Sequence, residues 1–278
     1  MTRMRYWLLP ALLLLLPVLA WAQEEPVRVK GRIINEQGEA VEYVQVGLPK
    51  RHIGTISTVD GRFELSIPPD TLEFFHVSYQ PAKVPVTGPA EDLVIVLRGQ
   101  ELPPAVFTGG NTKEKYLVRP GIQVSGTIDF SRADSGSKGV ELGTLVHARK
   151  PFLIQHIQFT LRENQIPGCV AAIQVYRIEG NPETFVQVLH KPVYFCIGES
   201  ATPQDFDIQP EEPILLEPGK YFVAFQIVAS DADTRREKVP HLYTMLYLRS
   251  SYVRYSAMGE LTPFPFNIGM SVKGLEYQ

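Results

Sequence analysis

The 278-residue chain is weakly acidic, because 27 Lys and Arg residues stand against 30 Asp and Glu residues and give a formal net charge of -3. No block of Lys or Arg interrupts this balance, so the sequence lacks the electrostatic footprint of a nucleic-acid-binding or polybasic membrane-surface protein. We therefore expect no nucleic-acid partner.

Residues 1–22 have the features of a signal peptide. Arg3 and Arg5 precede an apolar run that extends to Leu19, and Ala20-Trp21-Ala22 supplies a small-x-small cleavage pattern. Because the run contains prolines and is shorter than the roughly 20 residues that cross a bilayer, cleavage is favoured over an uncleaved anchor. No later segment is long and apolar enough to span a membrane. We expect an exported protein with no transmembrane segment after cleavage.

Residues 23–98 predict a first β-sandwich domain. The chain alternates there between short runs with apolar residues at every second position and turn-forming stretches, which is typical of an antiparallel sandwich. The runs are VRVKGRII, EYVQVGLP, GTISTV, RFELSIP, LEFFHVSY and DLVIVLR. Asp60-Gly61 joins the third and fourth runs and provides the positive φ of a tight turn, so a hairpin is expected there.

The rest of the chain predicts a linker and a second sandwich. Pro and Gly pairs break the alternation in residues 99–118, which we interpret as the linker. Longer alternating runs fill residues 119–278, and we find no sustained helical periodicity beyond the signal. The predicted fold class is all-β, with an N-terminal transthyretin/Ig-like sandwich and a C-terminal jelly-roll-like sandwich.

Two cysteines, Cys169 and Cys196, invite a disulfide prediction. The turn signal Gly180-Asn181-Pro182 lies near the middle of the segment between them, so folding at this turn brings the two ends opposite each other. An exported protein favours pairing, and a cross-strand disulfide would stabilise the fold by about 3 kcal/mol. The alternative is two buried thiols that behave as small apolar side chains.

The first domain resembles the carboxypeptidase-regulatory-like domain. The resemblance rests on the order VKGRIINEQGEAVEYVQVGLP, GTISTVDGRFELSIP and LEFFHVSYQP, which covers roughly residues 27 to 98. It departs from the family at Ser57-Thr58, where the family has an Asp, and at Gln80-Pro81, where the family often has Gly and an aromatic residue.

This resemblance implies a small transthyretin-like sandwich without catalytic residues, found before the plug of TonB-dependent receptors. The two-part arrangement also resembles exported, uncharacterised proteins of Bacteroidetes-type bacteria. The resemblance implies a location in the periplasm or at the surface of a Gram-negative bacterium.

No catalytic, cofactor or metal constellation emerges from the motifs, so we expect a protein that is not an enzyme. A zinc carboxypeptidase needs an H-x-x-E pair, and no His of the chain has Glu three positions later. Ser135 and Lys138 fit S-x-x-K, but they lie in a Gly- and Ser-rich stretch and not at a helix start. The acidic residues around Asp205 and Asp207 lack the loop spacing of a calcium site, so solvated charge is favoured.

Aromatic residues near the C-terminus are the candidate ligand or partner face. The predicted face comprises Tyr243, Tyr247, Tyr252 and Tyr255, with Phe264 and Phe266 nearby. Tyr243 and Tyr247 have the even spacing of one strand face, and exposed rings can stack on sugars or bind a partner. The alternative is that one face fills the core while the tyrosine hydroxyls reach its rim.

Two functional hypotheses follow. The first is a non-enzymatic cell-envelope binding or assembly module, accessory to an outer-membrane protein, that recognises its partner through edge strands and loops. The second is a glycan-binding protein that uses the aromatic strand face.

Overall fold

The computed structural model describes residues 25–100, 110–129, 138–231 and 242–278. Its elements in these ranges are 21 β-strands and one short 3-10 turn, Pro49–Arg51, which confirms the predicted all-β class. None of the described helices is long and apolar enough to cross a membrane. The predicted signal, residues 1–22, lies outside the described residues.

Seven strands build the N-terminal sandwich. They are β1 (Val27–Asn35), β2 (Gln45–Leu48), β3 (Ile53–Ile56), β4 (Arg62–Ile67), β5 (Asp70–Phe75), β6 (Ala82–Val86) and β7 (Ala90–Leu97). One sheet has the order β4-β1-β7 and the other β3-β2-β5-β6. All pairs are antiparallel except β1 with β7, which is parallel. The core lies between the two sheets.

Strand β4 shows why the period-two prediction holds. Phe63 and Ile67 are 5% and 0% exposed, whereas Arg62, Glu64 and Ser66 face solvent. Alternate side chains of a strand point to opposite faces, so the pattern buries one face of the strand.

The hairpin prediction at Asp60-Gly61 is wrong. Gly61 has the expected positive φ of 75°, but β3 pairs with β2 and β4 pairs with β1. The turn therefore carries the chain from one sheet to the other. Gly61 is needed for space as well as for φ, because a Cβ there would lie 2.4 Å from the carbonyl oxygen of Ile33.

Fourteen strands build the second sandwich. They are β8 (Thr112–Val118), β9 (Gln123–Asp129), β10 (Glu141–Ala148), β11 (Phe152–Asn164), β12 (Cys169–Glu179), β13 (Thr184–Gln187), β14 (Val193–Ile197), β15 (Gln204–Ile208), β16 (Ile214–Leu216), β17 (Gly219–Ala229), β18 (Leu242–Tyr247), β19 (Ser251–Arg254), β20 (Thr262–Phe264) and β21 (Ser271–Tyr277). One seven-stranded sheet follows β8-β21-β11-β18-β9, with β15 and β16 also on β11. The other follows β13-β12-β17-β10-β19-β20, with β14 also on β12.

Part of the predicted linker is a strand of this second sandwich. Strand β8 falls inside residues 99–118 and pairs with the C-terminal strand β21 from Val118↔Val272 to Thr112↔Tyr277. The Pro and Gly pairs that suggested a linker precede β8, so they mark only the first part of the interval.

In the sheet β13-β12-β17-β10-β19-β20, here called the central sheet, the middle strands β12 and β17 are buried on both faces. On β17, Val223, Phe225 and Ile227 pack into the core against the other seven-stranded sheet, and the alternate residues Phe222 and Ala224 are also 0% exposed. Side chains that cover this second face come from the N-terminal sandwich and from the chain after β19. Ile56 of the N-terminal sandwich, for example, packs with Ala172, Val228 and Ala257. The second face of the central sheet is thus where the two sandwiches meet.

Candidate functional site

An interdomain cleft of about 740 Å³ opens where the two sandwiches meet. One wall comes from β2, the 3-10 turn, the end of β5 and the chain after it. The other comes from β12, β13 and the chain from Arg254 to Glu260. Ligand sites are typically clefts of roughly 300–1,000 Å³ and occur preferentially at domain interfaces, so this cleft is the leading candidate site.

Aromatic rings form one side of the cleft. Tyr176 stacks in parallel with Phe222 at 6.3 Å between centroids, and Phe185 meets Tyr176 edge-on at 6.4 Å. Tyr252 packs edge-on against Phe185 at 4.9 Å, and its hydroxyl donates a hydrogen bond to Glu183. The cluster fixes the rings of Tyr176 and Phe185, which both line the cleft.

A chain of glutamine amides forms the adjoining polar side. Gln187 Nε2 donates to Gln174 Oε1 at 2.6 Å, and Gln174 Nε2 donates to Gln226 Oε1 at 3.1 Å. Gln45 of the N-terminal sandwich donates to the same Gln226 oxygen at 3.2 Å. These bonds connect both walls and orient the amides before any ligand arrives, which lowers the entropic cost of binding.

An ion pair lies at the base of the cleft. Strand register places Arg254 directly opposite Glu141, and Arg254 Nε lies 3.2 Å from Glu141 Oε2. The Glu141 side chain is 0% exposed and that of Arg254 is 13% exposed. Desolvation raises the pKa of Glu141, while the nearby Arg254 opposes that rise. The Tyr176 hydroxyl donates a hydrogen bond to Glu141 Oε2 at 3.4 Å. The guanidinium carbon of Arg254 lies 5.7 Å from the centre of the Tyr176 ring.

The pair is incompletely hydrogen-bonded. The 3.2 Å contact between Arg254 Nε and Glu141 Oε2 does not have the geometry of a hydrogen bond, so among the described residues neither Glu141 Oε1 nor Arg254 Nε has a hydrogen-bond partner. Arg254 is part of the cleft lining and Glu141 is not, so a ligand in the cleft would contact Arg254 and not Glu141.

His76 lines the cleft and connects the two sandwiches. Its Nδ1 accepts the backbone N–H of Ser78 at 3.2 Å, so the neutral ring carries its proton on Nε2 and can donate to the Tyr194 hydroxyl at 3.3 Å. Burial lowers the pKa of His76 to about 4, because the charged ring would lose its hydration between the sandwiches. Tyr194 also packs edge-on against Tyr43 at 5.0 Å.

The lining contains polar and aromatic groups that can contact a ligand. Burial raises the pKa of Tyr176, so its phenol remains protonated and acts as a hydrogen-bond donor. No group of three or more His, Cys, Asp or Glu side chains that could hold a metal occurs within residues 25–100, 110–129, 138–231 and 242–278. The lining includes glutamine amides, aromatic side chains, three histidines, Glu260 and Arg254.

The structure separates the four predicted tyrosines. Tyr243 and Tyr247 lie on β18 of one sheet, whereas Tyr252 lies on β19 of the other. The pairing of β18 with β9 also shifts register between Met245 and Tyr247. Tyr255 follows β19 and is 46% exposed. They do not form one continuous strand face; Tyr252 instead supports the aromatic side of the cleft.

The disulfide prediction is wrong for this structure. Both cysteines are free, with Cys169 buried and Cys196 exposed. Strands β12 and β14 do pair, but Cys169 stands opposite Ile197 and Cys196 stands opposite Val170. This offset of one residue sends the two side chains to opposite faces of the sheet. Burial raises the pKa of Cys169 to about 12, with a smaller contribution from nearby Cys196.

The acidic pair Asp205 and Asp207 makes local contacts on β15. Asp205 accepts from Thr160 Oγ1 at 2.6 Å, and Asp207 Oδ1 lies 2.9 Å from His156 Nδ1. Both partners lie on the neighbouring strand β11. Cross-strand polar pairing on an exposed face accounts for these residues.

Sequence reasoning missed the cleft residues, although some left a signal. Glu141, Gln174 and Gln226 interrupt otherwise apolar strand runs, where a buried polar group requires a partner. This pattern predicts that the polar side chains are buried, but it does not predict which of them contact each other. Strands β10, β12 and β17 become neighbours only in the folded sheet.

Comparisons with known proteins assign no family. No family model matches the chain, and no curated protein matches it. Thus the predicted carboxypeptidase-regulatory-like domain is not confirmed.

Among solved structures, the chain is similar to DUF3823 family proteins from Bacteroides ovatus and Parabacteroides merdae. The first is 9% identical, with 79% of this chain and 96% of that chain covered and a TM-score of 0.22. The second is 9% identical, with 92% and 99% covered and a TM-score of 0.23. A structure from Bacteroides uniformis, described as "a putative carbohydrate binding protein", is 14% identical, with 78% and 95% covered and a TM-score of 0.22. At such TM-scores these likenesses carry no functional argument.

Proposed function

We propose that this chain is a non-enzymatic binding protein and that its ligand is a glycan held in the interdomain cleft. The observation that carries the proposal is the cleft itself, about 740 Å³ in volume and lined by aromatic side chains as well as oriented amides. A sugar ring presents C–H groups on its faces and hydroxyls around its rim. Its faces can pack on the half-buried ring of Phe185, and its hydroxyls can exchange hydrogen bonds with polar groups of the cleft.

The cleft is preorganised for such a ligand. Gln45 and His76 each bond across the interface, and Ile56 is buried against the second sandwich. A ligand therefore does not have to assemble the site, and less of its binding free energy is lost to ordering the protein.

Export and an envelope partner belong to the same proposal. Residues 1–22 have a signal-peptide pattern, so we propose that binding takes place in the periplasm or at the surface of a Gram-negative bacterium, as an accessory to an outer-membrane protein. Fractionation of the native host, with in-cell crosslinking of the tagged protein, tests both parts. Recovery from the cytoplasm with an intact N-terminus would refute export, and recovery without a crosslinked envelope protein would refute the accessory role.

The direct test is binding of the purified protein to an array of neutral and uronic-acid-containing oligosaccharides, followed by calorimetry with the strongest binder. His190 is an exposed residue of the cleft lining, so His190→Trp should fill the entrance and weaken binding by at least about tenfold. His147 is also exposed but lies outside the lining, and His147→Trp is the matched control that should bind normally.

Two results would contradict the proposal. One is that the folded protein binds no oligosaccharide of the array. The other is that His190→Trp and His147→Trp bind the same oligosaccharide as tightly as the unaltered protein, which would place the site elsewhere.

A further inference from the structure

Two exposed aliphatic side chains lie side by side at one end of the second sandwich. Ile122 is 73% exposed and Leu248 is 54% exposed. The Leu248 N–H donates to the Ile122 carbonyl oxygen at 2.8 Å, which continues the pairing of β18 with β9 by one residue beyond Tyr247↔Gln123. Residues that stand opposite each other on antiparallel segments direct their side chains to the same face, so Ile122 and Leu248 form one apolar pair.

Short turns display this pair beyond the ends of the strands. Ile122 ends the connection from β8 to β9, residues 119–122, and Leu248 begins the connection from β18 to β19, residues 248–250. The Arg249 N–H donates to the Tyr247 carbonyl oxygen at 2.9 Å and closes a γ-turn around Leu248. The two connections together are called the tip below. The apolar pair therefore lies on the tip and not on a flat sheet face.

Two arginines accompany the apolar pair. Arg249 Nη1 donates to the Arg119 carbonyl oxygen at 3.1 Å, and both arginine side chains are exposed. The tip and its neighbouring segments, residues 116–128, 242–256 and 261–275, contain no Asp or Glu. The charge that complements the tip is therefore negative.

The sheet face beside the tip is acidic. Asp205 and Asp207 line a groove together with Pro120, and they are bonded there to Thr160 and His156 of β11. Their carboxylates would repel an anionic surface, so such a surface could be contacted only through the tip.

The small size of the apolar pair favours a lipid surface over a protein partner. A standard protein interface buries roughly 800 Å² on each partner, far more than two aliphatic side chains on turns can supply. A bilayer needs no such complementary surface, because aliphatic side chains enter its apolar region while Arg side chains bind its phosphates. The chain has no polybasic block, so its contact with a membrane would need both insertion and charge.

We propose that the tip is a membrane-contact site for bilayers that contain anionic phospholipid. Ile122 and Leu248 enter the bilayer, and Arg119 and Arg249 lie at the level of the phosphates. Tyr247 is half-buried beside the pair, and aromatic rings are common at that level. This inference is independent of the glycan site.

Vesicle flotation of the processed protein, residues 23–278, tests insertion without the apolar run of residues 1–22. The protein should bind vesicles of phosphatidylethanolamine and phosphatidylglycerol at least about tenfold more tightly than vesicles of phosphatidylcholine. Ile122→Ser with Leu248→Ser should weaken the binding at least about tenfold, because the inserted groups are lost. Val94→Ser with Val96→Ser removes two valines of 63% and 51% exposure from β7, and this control should bind normally.

A second pair of variants tests the role of charge. Arg119→Gln with Arg249→Gln should abolish the preference for anionic vesicles, because the phosphate contacts are lost. Arg32→Gln with Arg98→Gln removes two exposed arginines of the N-terminal part and changes the net charge equally. This control should keep the preference. Thermal unfolding of each variant checks that it remains folded.

A single tryptophan reports insertion directly. Trp7 and Trp21 are the two tryptophans of the chain, so the processed protein has none and Leu248→Trp introduces one fluorophore. Its emission should shift to shorter wavelength on vesicles and be quenched by brominated lipid, whereas that of Val94→Trp should do neither. Failure of the folded protein to float with either kind of vesicle would overturn the proposal and leave the tip to a protein partner. Flotation that both tip variants leave unchanged, or a Leu248→Trp emission that vesicles do not alter, would overturn it as well.

Discussion

At the scale of single residues, the interface between the sandwiches is controlled by a few buried polar groups. His76 and the pair Glu141 and Arg254 lie at or beside the cleft, and each has a partner on a different element. Buried polar groups are costly when their partners are lost, so these residues should dominate the response of the protein to pH and to substitution.

His76 should make the protein less stable in acid. Its pKa is about 4 when folded and about 6.5 in an unfolded chain. Between these values the unfolded state binds more protons, so the contribution of His76 is complete above pH 6.5 and is lost as the pH falls through that window. We expect His76→Gln to reduce the loss of unfolding free energy between pH 7 and pH 4 by up to about 3 kcal/mol. Urea unfolding at both pH values measures this; parallel pH curves for the two proteins would exclude the assigned role.

Removing Arg254 alone should be more harmful than removing the whole ion pair. Arg254→Met leaves Glu141 buried without a cation, which we expect to cost about 3 kcal/mol at pH 7. The pKa of Glu141, already raised by burial, should rise further, so the loss should be smaller at pH 5 than at pH 7. Glu141→Leu with Arg254→Met replaces the pair by apolar groups and should recover most of the stability. A double variant as unstable as the single one, measured in the same urea titrations, would contradict this account.

At the scale of strands, period-two patterns predicted where the strands lie better than they predicted which strands pair with each other. The run RFELSIP became β4 with its predicted faces, yet its neighbour is β1 and not the preceding strand. Local alternation reports which side chains a strand buries, whereas pairing depends on contacts between distant segments. The cysteine prediction failed at the same level, since a register one residue away would have placed Cys169 opposite Cys196.

The thiols should differ sharply in reactivity. Cys196 is exposed and Cys169 is buried with its pKa raised to about 12, so only Cys196 should react with Ellman's reagent in the folded protein. Both should react in guanidinium chloride. Cys196→Ser should abolish the native reaction, and Cys169→Ser should leave it unchanged. A folded, unreduced protein with no reactive thiol before or after denaturation would indicate that the cysteines are bonded.

At the scale of the whole molecule, the candidate site forms because the N-terminal sandwich packs on the second face of the central sheet. Strand β17 of this sheet has the run YFVAFQIV, which is apolar on both faces of the strand. Such a run is typical of a sheet that is covered on both sides. The sequence nevertheless predicted two separate sandwiches, because periodicity within a segment does not show which segment covers the second face. The cleft and its lining could not be predicted for the same reason.

The most direct test of the cleft as the binding site is hydrogen–deuterium exchange of the protein with and without its strongest-binding oligosaccharide. Our account predicts that the ligand slows exchange in β13, in the chain from Phe75 to Tyr79 and from Arg254 to Glu260, which line the cleft. Slower exchange confined to β18, around Tyr243 and Tyr247, would contradict it and return the site to the strand of the predicted tyrosine face.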